Sequence, residues 1–103
     1  MSKKTNQDIK QLRAIGHKLK PVVTVAGKGL SDAVVAEVDR ALSQHELIKI
    51  KLAVGGKDAK TAVIEELCER SGAEVVQSIG NIILVLRRTA KPDPRLSNLI
   101  RRV

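Results

Sequence analysis

The sequence predicts an α/β domain with the element order αβαβαββ, in which three helices pack a mixed four-stranded sheet. Its 103 residues, 43% of them apolar, suit one small domain with a modest core. Short apolar or alternating runs that suit strands are separated by amphipathic segments with a helical period. Two strand–helix–strand units favour right-handed crossovers, and a closing hairpin adds antiparallel pairing.

The first helix is predicted over about 5–17. Apolar residues recur there at helical spacing, and Thr5 with Asp8 resembles a capping box that has Asp in place of the usual Glu. We expect Gly16 and the approach to Pro21 to end this helix.

A buried strand follows over 22–26, since this run is short and rich in β-branched residues. Gly27-Lys28-Gly29 interrupts the strand, and Ser31 is a good N-cap for a second, amphipathic helix. A strand that turns through glycines into a helix N-terminus offers free backbone N–H groups, which attract phosphate.

The second strand is predicted over 47–54, where apolar and basic residues alternate. One face packs on the core, and Lys49 and Lys51 share the other face. A third helix is expected over about 58–71, with Gly72 as its C′ residue.

Two further strands are predicted over 74–79 and 82–88, joined by a two-residue hairpin turn at Gly80-Asn81.

The chain is expected to divide at residue 88, because the Lys-Pro-Asp-Pro run that follows suits neither helix nor strand. We therefore predict one domain over 1–88 and a mobile basic tail over 89–103, with transient helix near 96–100.

The net charge of +8 is concentrated at the two ends of the chain. Residues 1–20 and 87–103 each hold six Lys or Arg against one Asp, whereas 21–86 holds seven against nine acidic residues. A polyanion is the natural partner of such a footprint, although basic tails can also simply keep a protein soluble. The absence of Phe, Tyr and Trp excludes recognition of bases by aromatic stacking.

Nothing in the sequence predicts a membrane or a secretory fate. There is no run of eighteen apolar residues, and no apolar region follows the N-terminal basic residues. The single cysteine, Cys68, cannot form an internal disulfide, which fits a reducing compartment. We expect a cytoplasmic protein without membrane association, and a monomer is favoured.

Several motifs together resemble a known family. The segments are Leu19-Lys20-Pro21-Val22-Val23, Gly27-Lys28-Gly29-Leu30-Ser31-Asp32, Ala41-Leu42, His45-Glu46-Leu47-Ile48-Lys49-Ile50-Lys51, Ile79-Gly80 and Leu84-Val85-Leu86-Arg87. They resemble the CRM domain, named for chloroplast RNA splicing and ribosome maturation, in its stand-alone bacterial YhbY-type form, over about residues 5–88. The resemblance implies a fold similar to the C-terminal domain of translation initiation factor three, RNA binding, and association with precursors of the large ribosomal subunit.

The glycine loop departs from the family pattern at one position. The family loop is usually Gly-x-x-Gly, whereas the matching residues here are Ala26-Gly27-Lys28-Gly29. If the first position needs a positive φ, alanine there would cost about 1–2 kcal/mol. Gly27 could then take over that conformation. The family also often has Tyr before the last-strand arginine, where this chain has Leu86.

The candidate RNA-binding residues combine the loop with nearby basic side chains. They are Lys18, Lys20, Ala26, Gly27, Lys28, Gly29, Lys49, Lys51, Arg87 and Arg88. The alternative for the loop is a plain strand-to-helix turn, and for each lysine an ordinary solvated side chain.

No catalytic group, metal site or cofactor is predicted. His17 and His45 lack acidic or cysteine ligands at metal spacing, and His45 is better placed to cap the second helix at its C-terminus. Cys68 borders an apolar stripe and suits buried packing. The Gly55-Gly56 loop does not match the P-loop pattern.

We therefore expect a non-enzymatic RNA-binding protein of large-subunit assembly, whose partner is ribosomal RNA. The alternative is a general RNA chaperone or intron-splicing-type factor without a ribosomal target.

Overall fold

The computed structural model describes residues 6–27, 29–90 and 95–99, and it confirms the order αβαβαββ. The elements are α1 (Asn6–His17), β1 (Pro21–Val25), α2 (Asp32–His45), β2 (Leu47–Leu52), α3 (Lys57–Ser71), β3 (Glu74–Ile79) and β4 (Ile82–Leu86). The predicted capping box of Thr5 and Asp8 depends on side chains outside the described part of the chain.

The four strands form one mixed sheet in the order β1-β2-β4-β3. β1 and β2 are parallel, and β4 pairs antiparallel with both β2 and β3. The parallel pair is joined by α2, as a strand–helix–strand unit requires. The predicted mixed four-stranded sheet is therefore confirmed.

The sheet carries an apolar cluster on each face. The main core lies between the sheet and the helices α2 and α3, and its buried members are Val23, Val25, Val38, Leu42, Ile48, Ile50, Leu52, Val63, Leu67, Ala73, Ile83 and Val85. A smaller cluster under α1 contains Leu12, Leu47, Leu84 and Leu86. Because successive strand residues point to opposite faces, β2 and β4 contribute to both clusters.

Gly16 does not end the first helix, contrary to the prediction. The helix includes His17, and a Cβ atom at Gly16 would lie 2.7 Å from the Leu84 Cδ1 atom in the small cluster. Glycine is needed here because α1 approaches β4 closely. The helix then unwinds through i→i+3 hydrogen bonds from the N–H groups of Lys18 and Leu19.

The other caps follow the sequence prediction. The Ser31 side chain accepts a hydrogen bond from the Val34 N–H at the start of α2 (3.1 Å). Gly72 adopts the left-handed conformation after α3, and its N–H donates to the Cys68 carbonyl. Both ends are thus fixed by local chemistry.

Two strands are shorter than predicted. β2 ends at Leu52 rather than at 54, where the Ala53 N–H donates to the Val25 carbonyl (2.7 Å). β4 ends at Leu86 rather than at 88, and the N–H of the next residue, Arg87, donates to the Glu46 carbonyl between α2 and β2 (2.8 Å).

Residues 95–99 were predicted to belong to a mobile tail with transient helix. They instead lie against the domain, in turns rather than a helix. Ser97 is fully buried and Asn98 is 8% exposed. The physical reason is that these polar side chains satisfy backbone and carboxylate groups at the end of α2. The expected helix extended to residue 100, which lies outside the described residues, and the domain limit at 88 stays a prediction.

Candidate functional site

The glycine loop is a tight turn directly after β1. The Gly29 N–H donates to the Ala26 carbonyl (2.9 Å), and Gly29 has a φ of +84°. Ala26 and Gly27 do not adopt positive φ, so the strain expected from Ala26 does not arise and Gly27 does not replace the missing glycine. The positive φ is instead needed at Gly29, the last position of the loop. Lys28 lies outside the described residues.

The first turn of α2, which follows the loop, has a carboxylate that is already paired. Arg70 on α3 donates to Asp32 (2.8 Å) and to Glu66 (3.2 Å). The hydrogen bond to Asp32 raises the pKa of Arg70. This pairing partly neutralises the negative charge that would otherwise compete with an anion at the helix N-terminus.

Three turns meet at one end of the sheet, which we call the turn end: residues 26–27 with 29–30, residues 53–56, and residues 80–81. Parallel strands bring the first two together, and the Leu52 N–H donates to the Asn81 carbonyl across the third (2.6 Å). No function was predicted for Gly55-Gly56, because the loop lies beside Gly29 through the pairing of β1 with β2, which the sequence does not reveal. Several exposed backbone segments therefore lie together at this end of the sheet.

Lys49 and Lys51 lie on the α1 face of the sheet, away from the main core, as predicted. Lys51 is exposed and pairs in register with Thr24 of the edge strand, whereas Lys49 is half-buried opposite Leu84. Thr24 is two residues before Ala26 and Lys51 is its partner on the neighbouring strand, so Lys51 lies about 8 Å from the start of the glycine loop at the usual rise and spacing of strands.

Beside Lys51 this face is left open by the described part of the chain. Val22 and Ile79 are exposed there to 54% and 64%. Together with Thr24 and Lys51 they form a surface that we call the open sheet face. It combines aliphatic groups with positive charge.

Lys18 and Lys20 lie at the opposite end of the sheet from the glycine loop. Both are exposed and directly precede β1. The five residues of β1 separate them from the loop by about 17 Å at the usual rise. The structure thus brings Lys51 close to the loop and leaves these two lysines at the far end of the same strand.

Arg87 is separated from the lysines, because it faces α2 and α3. Its guanidinium donates to the Asp39 carboxylate (2.7 Å), the Asp39 carbonyl (2.9 Å), the Ser43 hydroxyl (2.8 Å) and the Ser71 carbonyl (2.8 Å). These bonds tie the end of β4 to two helices. Arg88, in contrast, is exposed.

His45 and Cys68, two further residues considered for a function, make contacts that stabilise the fold. His45 does not cap α2, because its Nδ1 bonds to the Leu96 carbonyl (2.8 Å), and the Glu46 N–H caps the helix by donating to the Leu42 carbonyl. Cys68 is half-buried against the main core, and this burial raises the pKa of its thiol.

Neither a metal-binding cluster nor a membrane-spanning helix occurs among the described residues. Within 6–27, 29–90 and 95–99 there is no group of three or more His, Cys, Asp or Glu that could hold a metal ion. Over the same part of the chain, no helix is long and apolar enough to cross a membrane.

Comparison with known proteins identifies relatives along most of the chain. The family model described as the CRS1/YhbY (CRM) domain matches residues 5–87. The Pseudomonas aeruginosa protein named Probable RNA-binding protein PA4753 is 50% identical over 97 residues, which cover 94% of this chain and 93% of that protein. A Haemophilus influenzae protein named RNA-binding protein is 40% identical over 76 residues, covering 74% of this chain and 77% of that one.

A solved structure agrees with these matches. The solution structure of SAV1595 from Staphylococcus aureus, described as a candidate RNA-binding protein, has a TM-score of 0.73 and 28% identity, and the match covers 84% of this chain and 91% of that one. Sequence, relatives and structure agree, and the chain belongs to the CRS1/YhbY (CRM) domain family.

Proposed function

We propose that this protein is a non-enzymatic, cytoplasmic RNA-binding protein that associates with precursors of the large ribosomal subunit and assists their assembly. RNA as the partner is supported by the names of the relatives in Pseudomonas and Haemophilus. The ribosomal target is supported by the resemblance of the His45–Lys51 block and the glycine loop to the stand-alone YhbY type.

The observation that carries the proposal is the separation of charge between the two sides of the sheet. The helices α2 and α3 hold seven Asp or Glu residues against four Lys or Arg. The exposed basic side chains of α1, of the turn after it and of β2 lie on the other side, and they are Lys10, Arg13, Lys18, Lys20 and Lys51. A polyanion is therefore attracted to the α1 side and repelled from the helical side.

On the α1 side, the proposed path of the RNA backbone follows β1. It runs from Lys18 and Lys20 past Lys49 and Lys51 to the glycine loop at the turn end. Phosphates contact the ammonium groups, and backbone N–H groups in the first turn of α2, which lack helical acceptors, add hydrogen bonds. Riboses and bases can contact the aliphatic open sheet face, since the chain has no aromatic ring on which a base could stack.

The test measures the affinity of the purified protein for a ribosomal RNA fragment over a range of salt concentrations, by fluorescence anisotropy. Each lost phosphate contact reduces the salt slope by about 0.7–0.9, which corresponds to about fivefold in affinity near physiological salt. We expect that loss for Lys51→Gln. Charge reversal in the loop, Lys28→Glu, should weaken binding without unfolding the domain.

The matched control is Arg40→Gln, which removes the same charge from the exposed surface of α2. It should leave the affinity within about twofold, because screening weakens charges on the far side of the domain. Equal losses for Lys51→Gln and Arg40→Gln would mean that only net charge matters, and would refute the proposed path.

The ribosomal target needs separate measurements. Competition with an unrelated structured RNA distinguishes an assembly factor from a general RNA chaperone, which would bind both equally. In sucrose gradients of a cell lysate, we expect the protein to migrate with large-subunit precursors at low salt and to be released at high salt. A signal confined to the top of the gradient at both salts would contradict this target.

A further inference from the structure

A carboxylate, that of Asp32, stands in the first turn of α2, where the proposed path of the RNA ends. Asp32 directly follows the N-cap residue Ser31, and its side chain is 98% exposed. The Ser31 side chain accepts the hydrogen bond of the Val34 N–H (3.1 Å). The N–H groups of Asp32 and Ala33 have no acceptor within the helix. These two groups are therefore the donors that this turn offers to a phosphate.

Asp32 thus combines two opposing groups, a backbone N–H that attracts a phosphate and a carboxylate that repels it. A carboxylate in the first turn of a helix is itself attracted to the positive end of that helix. Without a partner, the Asp32 carboxylate would move over the N–H groups of its own turn and exclude a phosphate from them. The affinity of this turn for RNA therefore depends on where the carboxylate is held.

Arg70, in the last turn of α3, holds the Asp32 carboxylate on the helical side of the domain. The Arg70 Nη2 atom donates to Asp32 Oδ1 (2.8 Å), and its Nη1 atom donates to Glu66 Oε2 (3.2 Å). Glu66 lies four residues before Arg70 on the same helix, so this second bond orients the guanidinium. The ion pair therefore draws the Asp32 carboxylate towards α3, away from the face of the sheet on which Lys51 lies.

We propose that Arg70 is a positioning residue of the RNA-binding site. Through its ion pair it keeps the Asp32 carboxylate off the first turn of α2 and leaves the N–H groups of that turn to a phosphate. Arg70 does this from the side of the domain that repels RNA, without contacting RNA itself. The inference rests on the RNA binding at the glycine loop proposed above.

The test is a double-mutant cycle in the full chain, with the affinity for the ribosomal RNA fragment measured by fluorescence anisotropy. Arg70→Gln should weaken binding about two- to fivefold, which is the usual effect of one charge at a helix N-terminus. In an Asp32→Asn background the same change should cost less than about twofold, because no carboxylate remains to be held. Asp32→Asn alone should not weaken binding.

The single variants separate positioning from a structural role, because each of them breaks the same ion pair. Weaker binding in both single variants would mean that the pair only maintains the fold, and would overturn the inference. Equal losses for Arg70→Gln in the two backgrounds would mean that Arg70 acts only through its own charge, with the same consequence. An unchanged affinity of Arg70→Gln would also overturn it.

A measurement on the unmodified protein covers the case in which Arg70→Gln unfolds. In the RNA complex, the NMR signals of the Asp32 and Ala33 amide protons should move downfield, because both groups donate to phosphate. Unchanged signals for both amides would overturn the inference even if Lys51→Gln weakens binding. Absent or salt-independent binding by the unmodified protein would instead refute the proposed function itself.

Discussion

Replacement of Arg87 by alanine tests whether this arginine stabilises the fold or contacts RNA. Its side chain is 22% exposed and joins the end of β4 to Asp39 and Ser43 on α2 and to Ser71 at the end of α3. The variant should therefore lose stability rather than RNA affinity.

The size of the loss follows from the four hydrogen bonds. Bonds to a charged group contribute about 1.5–3 kcal/mol each, but bonds from one guanidinium are not additive. The Asp39 carboxylate is 61% exposed, so solvent reduces that pair to about 0–1 kcal/mol. The larger cost comes from the buried hydrogen-bond partners, above all the Ser71 carbonyl, which loses its donor. We expect the free energy of unfolding to fall by about 2–4 kcal/mol in total.

The assay combines urea unfolding with RNA affinity measured well below the unfolding midpoint. For a domain of this size we expect the midpoint to fall by about 1–2 M urea. Arg87→Lys should recover only a small part, because an ammonium cannot replace the planar guanidinium. Arg88→Ala, a change at the exposed neighbour, should leave the midpoint unchanged. An unchanged midpoint for Arg87→Ala, together with a loss of RNA binding as large as that of Lys51→Gln, would refute the stabilising role of Arg87.

Two glycines give further predictions. Gly16→Val should destabilise the domain by about 1–3 kcal/mol in thermal or urea unfolding, because the added carbons overlap the Leu84 side chain; an unchanged midpoint would mean that α1 moves away freely. Gly29→Ala should cost about 1–2 kcal/mol, since its φ is +84°. The matched change Gly27→Ala should be nearly neutral, because its φ is ordinary and no atom lies within 4 Å of an added Cβ. Equal costs at the two loop positions would contradict this assignment.

The features predicted correctly from the sequence are those that local chemistry decides. Hydrophobic periodicity gave the seven elements in order, and the caps at Ser31 and Gly72 depend only on neighbouring residues. Gly16 shows the limit of that reasoning. A glycine near the end of a helix normally suggests a C-cap, but here its function is to permit a contact with Leu84, which is 68 positions away in sequence.

The surroundings of Arg87 could have been inferred from strand alternation. Val85 belongs to the main core, so a residue two positions further along points to the same side, towards α2 and α3. The prediction instead grouped Arg87 with Lys49 and Lys51, which lie on the other face. The packing of residues 95–99 against the end of α2 had no comparable signal in the sequence. Ser97 and Asn98 are short polar residues without periodicity, and they are buried through partners distant in sequence.

β2 is the element in which fold and proposed function depend on each other. Its even-numbered residues Ile48, Ile50 and Leu52 enter the main core, and the lysines between them face the α1 side. Because the side-chain period of a strand is two, a slip of one residue against β1 and β4 would bury both lysines in the core and expose the apolar row. The cost of burying an ammonium group makes that register very unfavourable. The lysines proposed to contact RNA therefore also fix the pairing that places them beside the glycine loop.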